Sequence, residues 1–206
     1  MMFKCSFMSV SRLASVVGLS FVAMGCDGAA AGAPVEVAVA AVSANVCPPP
    51  APDPSLAVPS GNRLAFDFDA TGVQIYTCAP SGPGFAWTFV APEATLLNPG
   101  GQTAGIHFAG PTWRANDGSQ VVGARVAGVT VDPSAIPWLL LSAASHSGNG
   151  RMAKVSFIQR FDTVGGKAPA TGCDATTVGA TARVDYQATY FFYEPKHGNP
   201  NGPPCP

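Results

Sequence analysis

Between residues 182 and 192 the chain alternates: Ala182, Val184, Tyr186, Ala188, Tyr190 and Phe192 fall on one face, and Arg183, Asp185, Gln187 and Thr189 on the other. Successive side chains of an extended strand point to opposite faces, so a period of two fits a half-buried strand and not the stripe of an amphipathic helix. A strand also leaves backbone N–H and C=O groups unpaired on both edges, and the rest of the chain has to supply partners.

It offers them. Ala153, Val155, Phe157, Gln159 and Phe161 repeat the alternation, with Lys154, Ser156 and Arg160 facing away. Shorter candidates are Leu64–Phe68, Val73–Cys78, Ala86–Val90, Ile106–Ala109, Val121–Val131 and Pro137–Ala144. Turn sequences separate them: Ala70-Thr71-Gly72, Ser81-Gly82-Pro83-Gly84, Asn98-Pro99-Gly100-Gly101, Asn116-Asp117-Gly118 and Gly148-Asn149-Gly150. The apolar run Ile136–Ala144 could form a buried helix, but Pro137 and the β-rich context favour a central strand. With 23 Gly, 20 Pro and only 11% charged residues, long surface helices have little to build on. Short strands at this spacing predict an all-β chain, a single antiparallel β-sandwich or barrel-like domain.

Four segments are expected. Residues 1–26 read as a signal peptide, with Lys4 and Arg12 before the apolar run Leu13–Ala23. That run is shorter than the ~20 residues a membrane span needs. It ends in Ala23-Met24-Gly25-Cys26, which resembles the lipobox of bacterial lipoproteins and would make Cys26 a lipid anchor. Ala23 stands where that motif usually has Leu, and Ala31-Gly32-Ala33 offers an ordinary cleavage site for plain secretion instead. Residues 27–59, rich in Ala, Val and Pro, read as a tether. Residues 60–194 form the β-rich domain, and 195–206 a Pro/Gly-rich tail. The expectation is export, with the membrane as partner through the anchor and the chain facing periplasm or cell surface.

Cys5 leaves with the signal and Cys26 is spent on lipid, so Cys47, Cys78, Cys173 and Cys205 remain. Four cysteines allow three pairings that spacing does not separate. Position favours Cys78–Cys173, which border strand-like segments, and Cys47–Cys205, which sit beside prolines at the two ends. No C-x-x-C or C-x-x-H pair suggests a metal. Nucleic acid is not expected as a partner, because the net charge is −1 and the basic residues after position 26 are scattered from Arg63 to Lys196.

Three stretches, Gly72-Val73-Gln74-Ile75-Tyr76-Thr77-Cys78, Gly105-Ile106-His107-Phe108-Ala109-Gly110-Pro111-Thr112-Trp113, and Ile158-Gln159-Arg160 running to Gly165-Gly166-Lys167-Ala168-Pro169, resemble the bacterial and fungal domain-of-unknown-function family 3455. The resemblance spans about Leu64 to Tyr193 and implies a shared fold and export, with no reaction attached. A malate dehydrogenase label carried by some fungal relatives finds no G-x-G-x-x-G and no βαβ alternation here.

His107 is the candidate for chemistry, since a histidine at a strand end is able to serve as acid, base or metal ligand. The bland alternative, which the crowded turn favours, is a structural histidine bonded to backbone. Trp113 could form a flat binding platform, whereas Trp87 and Trp138 read as core. Gln74, Tyr76 and Arg160 could line a pocket mouth with Arg160 holding an anion, or form an exposed face with Arg160 paired to Asp162. Arg114, Asp117 and Asp67 are possible helpers to His107, although Asn116-Asp117-Gly118 is first of all a hairpin turn. Ser145-His146-Ser147 makes a poor nucleophile–base pair, because strand neighbours point apart. The function expected is a non-catalytic envelope module, without cofactor, that binds an unknown ligand, glycan or protein. The alternative is a small hydrolase or metal-assisted enzyme centred on His107, which a nearby carboxylate would favour and a backbone-only partner would oppose.

Overall fold

The computed structural model describes residues 50–196. A 3-10 turn (Pro54–Leu56) precedes eight strands: β1 (Asn62–Ser81), β2 (Gly84–Leu97), β3 (Thr103–Phe108), β4 (Thr112–Ala115), β5 (Gln120–Val129), β6 (Trp138–Ser147), β7 (Phe157–Gly165) and β8 (Thr181–Pro195). Each strand pairs antiparallel with the next, and β8 returns to β1 along most of its length, from Asn62↔Pro195 to Thr77↔Thr181. The result is a closed up-and-down barrel. Closure removes every sheet edge, which answers the pairing problem that the alternating strands pose. Of the two all-β architectures expected, the barrel is the one formed.

The turn sequences at 81–84, 98–101, 116–118 and 148–150 all fall between strands. The one at Ala70-Thr71-Gly72 does not. β1 runs straight through it as a single 20-residue strand, where two strands were expected. A Cβ on Gly72 would collide with the Glu93 carbonyl oxygen and lie 2.5 Å from the Ala94 Cα. Gly72 therefore marks a close approach of β1 and β2, not a reversal of the chain. Strand β4, only four residues long and wedged between Gly-Pro and Asn-Asp-Gly, is too short to show an alternation of its own.

The inward faces pack a core that includes Phe68, Leu96, Trp113, Val121, Ile158, Tyr190 and Phe192. Met152 and Val155, from the connection between β6 and β7, are fully buried in the same cluster. They plug the end of the barrel away from the β3–β4 turn. A second cluster lies outside the barrel wall, where Leu140, Phe161, Phe191 and Tyr193 pack with the fully buried Leu56. Gln159 ties this layer down: its Nε2 donates to the Leu56 carbonyl and its Oε1 accepts from the Tyr193 hydroxyl. Ala51, Leu56 and Val58, in the stretch expected to belong to a tether, thus pack onto the barrel wall. Because the 3-10 turn covers this wall, β8 is apolar on both faces from Tyr190 to Tyr193.

A disulfide joins Cys78 to Cys173, as expected. It pins the long β7–β8 connection to the end of β1, where Cys78 N–H also donates to the Ala180 carbonyl and Trp87 Nε1 to that of Thr171. Trp87 serves that loop and is only half-buried, so it is not core. Cys26, Cys47 and Cys205 lie outside the described residues, as do the signal segment and most of the tail. Among the described residues, no helix is long and apolar enough to cross a membrane.

Candidate functional site

The barrel holds a cavity of ≈ 340 Å³ at the end that carries the β3–β4 turn, whose Gly110 and Pro111 form part of its rim. Gln74 reaches it from β1, His107 from β3, Trp113 from β4, Arg125 from β5, Arg160 from β7 and Tyr190 from β8, while Leu139 and Leu141 of β6 supply apolar wall. On β2 the pairing register shifts: Ile75 faces Ala91 and Tyr76 faces Phe89, leaving Val90 as the extra residue. Bulges re-aim side chains, and both Phe89 and Val90 border the cavity while staying 52% and 54% exposed. All eight strands therefore contribute to one lumen. Eight strands enclose an interior just large enough for packed side chains or one small ligand.

His107 is 3% exposed. Its ring stacks on Trp113 and meets Tyr190 edge-on. Nδ1 lies 2.9 Å from the Thr112 carbonyl oxygen, which only accepts, so Nδ1 carries the proton. Burial, helped by the nearby Arg160 cation and opposed by the Thr112 bond, lowers the His107 pKa to about 3. The ring, which lines the cavity, is neutral across the physiological range and in one tautomer, leaving Nε2 as an acceptor.

Two donors beside it are unmatched. The indole Nε1 of Trp113 is buried without a hydrogen-bond partner in the protein, and the buried Nε2 of Gln74 makes no well-formed bond, with only the Tyr186 hydroxyl near it. A buried donor left unpaired costs roughly 1–3 kcal/mol, and native folds keep few of them. Two such donors on one cavity wall mark it as a place for something that accepts.

Arg160 is half-buried. Its Nε and Nη2 donate to the Pro137 carbonyl, at 3.1 and 2.7 Å. It makes no pair with Asp162, against the exposed-face reading. Among the described residues the ion pairs are Arg63–Glu194 and Arg183–Glu93, both on the outside. Its cation disfavours charging His107 and opposes the effect of burial on the phenols of Tyr76, Tyr186 and Tyr190, whose pKa values burial raises.

Four of the six residues proposed for binding, Gln74, His107, Trp113 and Arg160, meet in this lumen. Tyr76 sits next to it, packing edge-on against Phe89 with its hydroxyl committed to the Gly166 carbonyl at 2.6 Å. Arg114 does not belong. Next to the inward Trp113, it points outward, and its guanidinium lies over Phe108. Asp117 is held in its turn by Ser119 and the Arg151 N–H, and Asp67 is not among the cavity residues. No carboxylate lines the cavity, and no cluster of three or more potential metal ligands exists among the described residues. His146, far from any acid–base role with its serine neighbours, hydrogen-bonds to the Val155 carbonyl. No motif marks Arg125, Leu139, Leu141 or Tyr190 as a site residue; the alternation puts Tyr190 on an inward face, but barrel closure and register bring that face to the lumen.

Fold and site together define a closed eight-stranded antiparallel barrel with a lined lumen. The chain belongs to the family described as proteins of unknown function, DUF3455, whose model matches residues 59–104 and 98–194. Searches of curated proteins and of solved structures found no match.

Proposed function

We propose that this protein is an exported, non-catalytic binding module whose barrel lumen takes one small ligand. The observation that carries the reading is the pair of buried donors without a well-formed hydrogen bond, Gln74 Nε2 and Trp113 Nε1, on the wall of a cavity that all eight strands build. A fold tolerates that arrangement when occupancy repays it. The Cys78–Cys173 disulfide supports an oxidising compartment, in keeping with a signal peptide at 1–26 and a lipid on Cys26 that would hold the barrel at the cell envelope. The enzyme alternative draws little support: His107 has a backbone carbonyl for a partner and no carboxylate beside it. With a pKa of about 3 it is a poor base at neutral pH.

Trp113 reports on the lumen directly. Replacing Trp87 and Trp138 with Phe leaves it as the single tryptophan, since the chain has 3. Titrating that variant with small carboxylates, their amides and simple sugars should give a saturable fluorescence change with at least one class. Flat titrations throughout would contradict the reading.

A further inference from the structure

We propose that the lumen is built for a compact hydrophobic carboxylate, whose charge Arg160 meets and whose body lies against Trp113, Leu139 and Leu141. This rests on the ligand-binding reading above and names its chemistry.

Donors outnumber acceptors among the polar side-chain groups that line the cavity. Trp113 Nε1 is buried without a protein acceptor, and Gln74 Nε2 makes no well-formed hydrogen bond, with only the Tyr186 hydroxyl beside it. A guanidinium carries five N–H groups. Arg160 spends Nε and one Nη2 position on the Pro137 carbonyl. Its remaining N–H groups have no carboxylate to meet, and Arg125 at the rim has none either among the described residues. Two cations and no acid line the lumen. A cationic ligand would add like charge, and a neutral one would leave the half-buried Arg160 uncompensated. A carboxylate oxygen pair satisfies guanidinium, amide and indole donors together, because charge-assisted bonds are the stronger kind.

The rest of the wall limits what carries the charge. Apart from these donors the lining is aliphatic and aromatic, which disfavours a heavily hydrated polyanion. A sugar would need acceptors and donors in comparable number, and among the lining side chains only His107 Nε2, the Gln74 amide oxygen and the Tyr190 hydroxyl accept, against the many N–H groups of Arg125, Arg160, Gln74 and Trp113. The volume, ≈ 340 Å³, lies at the lower end of the roughly 300–1,000 Å³ usual for small-molecule sites. A ring or short branched chain with one carboxylate fits that description, and His107 Nε2 is an acceptor for a hydroxyl on it.

The test is calorimetric titration of the oxidised full chain with benzoate and 3-phenylpropanoate, each against its own amide. The acids should bind at least ten-fold more tightly than the amides. Arg160→Met should abolish that preference, and Arg160→Lys should keep part of it. Because Arg160 also braces Pro137, an unfolded Arg160→Met is replaced by Arg125→Met together with the salt dependence of acid binding, both of which should weaken the acids selectively. Acids and amides binding equally would overturn the carboxylate assignment while leaving the lumen a binding site. No binding by any of the four would overturn both.

Discussion

The imidazole of His107 lies flat on the indole of Trp113, ring centroids 4.4 Å apart and planes 12° from parallel. The two residues face each other across the β3–β4 hairpin, so a four-residue strand places both rings inside the barrel. The stack takes His107 out of water, and that desolvation gives the residue a measurable signature.

His107 has a pKa lowered from 6.5 to about 3 in the fold. Between those values the unfolded chain binds a proton that the native state does not. The stability contributed by the neutral ring is therefore complete above pH 6.5 and is lost as pH falls toward 3. At pH 4.5 the loss relative to pH 7.5 should be about 2–3 kcal/mol. Urea unfolding of wild type and His107→Phe at the two pH values checks this: the wild type should weaken, and the variant should lose most of that slope. Asp117, whose pKa the Arg151 and Ser119 bonds lower, acts only below about pH 4 and stays out of the window.

Gln74→Leu removes a buried unmatched donor. The free protein should gain about 1 kcal/mol in stability, and ligand affinity should fall. Thermal unfolding with and without a bound carboxylate separates the two effects. A variant that is destabilised and binds as before would mean the amide has a structural partner instead.

Cys78 and Cys173 are 95 residues apart in sequence. Breaking their bond should cost about 3–5 kcal/mol in the chain-entropy account. Cys78→Ser, Cys173→Ser and the double variant should lose nearly the same amount, because each removes the same cross-link. Denaturant midpoints under oxidising conditions measure it.

Gly72→Ala should destabilise by about 1–3 kcal/mol or more, because its Cβ has no room against β2. Gly84→Ala, at a position with nothing within 4 Å of the added carbon, should be near neutral. Melting temperatures of the pair distinguish a close approach from a general intolerance of glycine replacement.

Much of the barrel is legible in the sequence because its outer face meets water: the alternation from Ala182 to Tyr190 records which side chains point inward. The record fails where that contrast disappears. Phe191 and Tyr193 are apolar on the outside because Leu56 covers them, a contact between residues far apart in the chain. Gly72 reads as a turn because a glycine needed for close strand approach looks the same as one needed for a reversal. His107, Trp113, Gln74 and Arg160 stood out as polar or aromatic residues in strands. Their meeting in one lumen depends on barrel closure and register, which no local pattern encodes. Arg114 reads as a helper to His107 by its nearness in sequence, and strand parity puts it outside.

The most direct test of the account is an NMR titration that follows the Trp113 indole N–H and the Gln74 side-chain amide, assigned through Trp113→Phe and Gln74→Leu, as 3-phenylpropanoate is added. Both resonances should move saturably with a single affinity, and 3-phenylpropanamide at the same concentration should move them far less. Resonances that stay fixed under both compounds would contradict a ligand-binding lumen.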